Sequence, residues 1–280
     1  MLESSASNQD VRRSTIAVYR RSHAQREELL RNEVDLPLRR QAGLNYFSAS
    51  HNLYIAFARY ALGDPAAEVR SELLSSGKYM LRVFELRKPW EEGMNGALHP
   101  IRGGEDYSLT NSKNNLFWVC IALAAGDNET ATQLSQLAWD PSKAFYITQR
   151  SQTCRPYDPP LAQAMKCLLS GNVDEIESVL AKAKIPPRET RAIEVREIMF
   201  ALARDDKESF LEAIDRLLEW HGKATATRWP HEMITHAHKD LCLWALGYLV
   251  LAIQRDLIQI QDVPAGYAYL PLKLVQLALD

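Results

Sequence analysis

The chain has 280 residues, 46% of them hydrophobic, so it can bury a sizeable core and disorder is not the default. Lysine and arginine (33) nearly balance aspartate and glutamate (35), and the formal net charge of −2 argues against a general nucleic-acid binder. The longest apolar run, residues 241–253, falls short of the roughly 20 residues that a membrane-spanning helix needs, and the amino-terminal residues lack the apolar core of a signal peptide. The expectation is a soluble, cytoplasmic protein with neither membrane nor nucleic acid as partner. Cys120, Cys154, Cys167 and Cys242 form no C-x-x-C pair. Three of them lie in apolar helical segments, as buried reduced thiols do.

In chain order, residues 1–10 are polar and expected to fray. Residues 11–31 read as a charged helix with Ile16, Tyr19 and His23 on one stripe. Pro37 and Gly43 punctuate the next stretch. Residues 44–62 predict a strong helix, because Leu44, Phe47, His51, Tyr54, Ile55, Ala58 and Leu62 keep three-four spacing. Asp64-Pro65 then opens a helix, Asp as N-cap and Pro at the first helical position, that runs past Gly77 to about Leu86. Residues 88–111 contain Pro89, Gly93, Gly96, Pro100, Gly103 and Gly104, and read as a long loop, a class that tends to be functional or mobile.

Residues 116–125 predict a short apolar helix and 130–139 its partner. Residues 144–148 have β-type composition but no second strand to pair with. Pro156, Pro159 and Pro160 mark a break, and 150–160 is where the domain would subdivide if it did. Residues 161–220 read as helices joined by short hinges, Ile185-Pro186-Pro187 among them. A final long helix is expected over 231–255. Its stretch Leu241-Cys242-Leu243-Trp244-Ala245-Leu246-Gly247-Tyr248-Leu249 is apolar nearly all round and should lie centrally. A tail rich in Pro, Gly and Tyr begins at Val263.

One phrase recurs: an apolar helix end, a polar turn, then a new amphipathic helix. It occurs at Leu62-Gly63-Asp64, Ala125-Gly126-Asp127, Ser170-Gly171-Asn172 and Arg204-Asp205-Asp206. Glycine just past a helix end supplies a left-handed C-cap, and the next Asp or Asn can cap the following helix. The intervals are uneven, which excludes a repeat of fixed period. The predicted architecture is therefore all-α, an irregular array of antiparallel helical hairpins in a single compact domain over residues 11–280.

The densest set of potential ligands lies at residues 229–240. His231 and His236 are five apart, roughly 140° round a helix, so they do not form the H-E-x-x-H zinc pattern. Glu232, His236 and Asp240 would share a face of a continuous helix. A polar helix start with an interior or capping histidine outweighs a metal site or metal-dependent enzyme there. No G-x-S-x-G occurs, and Gly103-Gly104 lacks the lysine of a phosphate-binding loop. The residues therefore predict no catalytic site, metal or cofactor. In the long loop, Trp90, Glu91, Glu92, Glu105, Asp106 and Tyr107 bring acid and aromatic groups together, which suits a basic partner that charge steers and an aromatic anchors. An acidic excess between Asp174 and Glu219 reads as solvated helix faces.

Two stretches resemble bacterial immunity proteins of polymorphic toxin systems, closest to the immunity protein 49 family. The first runs from Asn45-Tyr46-Phe47 through Tyr60-Ala61-Leu62-Gly63-Asp64-Pro65. The second is His238-Lys239-Asp240-Leu241-Cys242-Leu243-Trp244-Ala245-Leu246-Gly247-Tyr248-Leu249, followed by Tyr269-Leu270-Pro271-Leu272. The match covers roughly residues 30–275, through packing phrases rather than catalytic signatures. The resemblance implies a cytoplasmic non-enzyme whose partner is a cognate toxin, such as a nuclease effector delivered by type VI secretion or by contact. It carries no site residue over to this chain. A helical-repeat adaptor for a regulatory partner is the other binding protein this scaffold would suit.

Overall fold

The recurring hinge forms one backbone turn each time. Gly63, Gly126 and Gly171 have φ of 78°, 75° and 77°, and Asp205 adopts the same left-handed region at 52°. After each, an amide reaches back five residues in the Schellman pattern: Asp64 to the Arg59 carbonyl, Asp127 to Ala122, Asn172 to Cys167 and Asp206 to Ala201. A fifth turn at Asp256 (φ 59°) repeats this, with Leu257 N–H donating to Ala252. At three of the turns a distant arginine donates to a carbonyl of the ending helix: Arg12 to Ala61 (2.7 Å), Arg70 to Ala125 (2.8 Å) and Arg255 to Leu168 (3.3 Å). Asp127 and Asp206 cap the next helices, accepting from the amides of Thr130 and Ser209 at 3.0 Å each.

The computed structural model describes residues 3–32, 38–93, 112–137, 155–226, 240–263 and 269–280, with only the backbone described over 3–9 and 87–93 and at residues 11, 32, 38, 39, 112 and 226. Among these residues there are helices and no strands, and the protein is all-α. The elements are α1 (Glu3–Asn32), α2 (Leu38–Leu62), α3 (Ala66–Gly93), α4 (Ser112–Ala124), α5 (Asn128–Gln136), α6 (Asp158–Ser170), α7 (Ile176–Leu180), α8 (Thr190–Arg204), α9 (Lys207–Ala226), α10 (Leu243–Gln254) and α11 (Leu272–Leu279). Short 3-10 turns occupy Val173–Glu175 and Ile260–Asp262. No helix among the described residues is long and apolar enough to cross a membrane.

Two helices form the centre. From Leu116 to Ala125 on α4, and from Leu241 to Ala252 on α10 and its approach, every residue is buried. A helix apolar on all sides is stable only when neighbours surround it. Here α4 is surrounded by α3, α5, α6, α10 and α11. At the α4–α10 crossing the backbones nearly touch, since a Cβ on Gly247 would lie 2.8 Å from Cys120 Cα. The α8–α9 hairpin closes one side, against α6 and α10, and the α1–α2–α3 layer the other. One cluster of buried side chains runs from Ala49 of α2 to Ala278 of α11.

Several sequence expectations need correction. Helix α1 begins at Glu3, so the residues expected to fray are helical from there on. Gly43 is inside α2 rather than at its border. The stripe predicted for α2 is buried only in part: Ile55 and Ala58 are buried but Phe47 is 53% exposed, whereas Ala49, Leu53, Ala56 and Phe57 join the main core cluster. Helix α2 lies between α1 and α3 and contacts both, so two faces carry apolar residues and spacing alone cannot rank them.

Helix α3 continues through Pro89 to Gly93, so the predicted loop cannot start before residue 94. The helix expected over 231–255 is also shorter. Asp240 to Cys242 precede α10, with Cys242 outside the helical region (φ −88°, ψ 87°) and its N–H bonded to the Tyr269 carbonyl. The predicted tail holds α11, whose Leu274, Val275 and Ala278 are buried. It lies across the α4–α5 hinge, where a Cβ on Gly126 would come within 2.8 Å of Ala278 Cα. Residues 144–148 lie outside the described residues.

Candidate functional site

The acidic-aromatic set singled out in the sequence is only partly placed. Trp90, Glu91 and Glu92 are in the last turns of α3, as backbone alone, whereas Glu105, Asp106 and Tyr107 lie outside the described residues. Glu232 and His236 also lie outside them. Asp240, their expected partner, is not on an α-helix. Its carboxylate meets Arg12 of α1 at 3.4 Å. Among the described residues no three His, Cys, Asp or Glu side chains converge as a metal ion requires.

What the structure does assemble is a titratable and aromatic cluster where α1 crosses α2 and α3. The α1 side chains come from the stripe of Tyr19 and His23, extended one turn by Arg26 and Glu27. The His51 ring lies 4.4 Å from the Tyr19 ring, which also stacks on Tyr54 at 5.4 Å. Arg26 donates to His51 Nδ1 at 2.9 Å and lies over the Phe47 ring, 5.3 Å from its centroid. His23 meets buried Asn52 at 3.4 Å and the edge of Tyr79 at 5.3 Å. The Tyr79 hydroxyl donates to the Glu27 carboxylate.

Each shift of acidity here has a physical cause. Partial burial, and then the neighbouring Arg26 cation, lower His51 from 6.5 to about 4. The Tyr79 hydroxyl bond holds the Glu27 carboxyl below the usual range, while burial and that same bond push Tyr79 up. The acid and base groups are bonded to one another, so the cluster acts as a clasp between helices. The sequence signal for it was the pair of titratable stripes on α1 and α2. Tyr79, on α3, had none.

A guanidinium knot closes the other end of this layer. The Arg59 side chain, 11% exposed, meets Asp64 at 2.9 Å, Glu72 at 3.2 Å and also Glu68, and Arg20 of α1 reaches the same Glu72 at 3.5 Å. One cation thus joins α2 to the hinge and to the first turns of α3. A second buried cluster surrounds the start of α10. Arg191 of α8 lies 4.8 Å over the Trp244 ring, and the buried Tyr248 hydroxyl lies beside the Cys120 thiol. Burial pushes the Cys120 thiol up and raises Cys242 to about 12. These thiols are thus poor nucleophiles and fit the packing role expected of them.

These elements define an all-α protein of irregular helical hairpins around a solid two-helix centre. Compared with known protein families, curated proteins and solved structures, the chain matches none.

Proposed function

We propose that the protein is an immunity protein, a non-enzymatic binder that neutralises a cognate antibacterial toxin by covering its active site. One observation above all supports the reading. The two innermost helices fill the centre with their own side chains, so recognition falls to outer surfaces. Arrays of helical hairpins characteristically use such surfaces for protein partners. The resemblance of residues 45–65 and 238–249 to immunity proteins gives the kind of partner. Acidic and aromatic residues at Trp90, Glu91, Glu92, Glu105, Asp106 and Tyr107 suit a basic toxin surface such as that of a nuclease.

Co-expression with the adjoining reading frame tests this. The neighbour expressed alone should arrest growth, and this chain should restore it and co-purify with it. A neighbour that is harmless alone removes the toxin from the reading and leaves a helical adaptor in its place. Reversing charge at Glu91, Glu92 and Glu105 to Lys should weaken the complex at least tenfold by calorimetry. An unchanged affinity would move the contact to another face.

A further inference from the structure

We propose that α1 is an acid-released clasp: neutral His51 holds it on α2, and protonation of His51 frees α1 from the α2–α3 face. The inference stands apart from the toxin reading and needs only the geometry of this layer. None of the described α1 side chains is buried. The helix is held by polar and ring contacts, several of which meet at His51.

The hydrogen bonds fix the state of that ring. A guanidinium only donates, so Nδ1 of His51, 2.9 Å from Arg26 Nη1, must be its lone-pair nitrogen. The proton is then on Nε2, and the Tyr19 backbone carbonyl of α1 stands beside the ring as an acceptor. One neutral imidazole on α2 thus accepts from an α1 guanidinium and has an α1 carbonyl beside it. Protonation would turn Nδ1 into a donor aimed at a donor and place two cations within hydrogen-bond distance. The groups facing His51 from α1 are Tyr19, His23 and Arg26. His23 adds like charge when it protonates, which Glu27 beside it partly offsets. From α3, Tyr79 is bonded to Glu27, and Glu72 is bonded to Arg20 and Arg59, so neither compensates His51.

Linkage gives the sign. With α1 docked, His51 titrates at about 4, and a solvated histidine titrates at about 6.5. Above about 6.5 both forms are neutral and the contribution of His51 to docking is fully present. Between these values the undocked form takes up its proton first, so docking weakens as pH falls. Below about 4 the loss is complete. Allowing for the partial exposure of the ring, the docking equilibrium should shift on the order of tenfold between pH 7 and pH 4.5.

Hydrogen exchange of the full-length chain, read by mass spectrometry and corrected for intrinsic pH dependence, tests this. Protection of α1 should fall about tenfold from pH 7 to pH 4.5, while α4 and α10 stay protected. The His51→Gln variant can accept and donate but cannot titrate, so its α1 should stay protected throughout. Unchanged α1 protection, joint loss in α1 and α4, or an equal fall in His51→Gln would each overturn the proposal. Should that variant leave α4 unprotected, imidazole nitrogen shifts of the wild-type protein decide. A His51 ring protonated at Nε2 and titrating well below 6.5 supports the clasp. One protonated at Nδ1, or titrating at 6.5 or above, overturns it.

Discussion

The α4–α10 centre and the α1 rim are both helical and contribute in opposite ways. The centre is held by contact of apolar surface and by two backbones meeting at Gly247 and Cys120. Such packing is non-directional in chemistry but unforgiving in volume. The rim is held by hydrogen bonds, an arginine on a carbonyl and stacked rings, with no described residue fully buried. Polar contacts of this kind contribute little each, because water competes for them. The centre should therefore set global stability, and the rim should open without unfolding the rest.

The sharpest way to break that contrast is to add volume at the crossing. Gly247→Val should cost about 4 kcal/mol or more in urea denaturation, because its side chain meets backbone that cannot turn aside. Ala17→Val, on the outer face of α1, should stay within about 0.5 kcal/mol. A small loss at Gly247 would mean that the two helices are further apart. Gly126→Ala combines a left-handed backbone with a clash against Ala278 and should cost roughly 2–4 kcal/mol, read from the same transitions.

Asp127→Ala removes the α5 cap and should cost about 1 kcal/mol, with Asp206→Ala on α9 as its parallel. Smallest of all, Arg31→Ala deletes an exposed pair with Glu27 and should shift stability by less than ~0.5 kcal/mol in thermal melts. A larger effect at Arg31 would show that charges on the rim contribute more than their exposure implies.

The hinges were legible because a left-handed residue leaves a chemical trace when it is glycine. Asp205 was legible through its apolar lead-in, Phe200-Ala201-Leu202-Ala203. Asp256 was not, because Arg255-Asp256-Leu257 carries neither glycine nor a second polar cap. The centrality of α10 was legible from composition alone. Helix α11 was hidden behind Pro264 and Pro271, and its place depends on a bond between Cys242 and Tyr269 that no local pattern encodes. Pro89 read as a helix end, yet α3 continues past it. As for the candidate site, Tyr19, His23 and His51 were on the predicted stripes. Their meeting depends on the antiparallel register of α1 against α2, which is a tertiary fact.

The buried thiols give the molecule an internal clock. Cys120 and Cys242 belong to the two central helices, and a thiol raised to about 12 leaves very little thiolate at neutral pH even when a reagent reaches it. Labelling at these positions by a disulfide reagent therefore waits for the helices to part. Its rate counts the opening events of the core, cysteine by cysteine, while the rim comes and goes unrecorded.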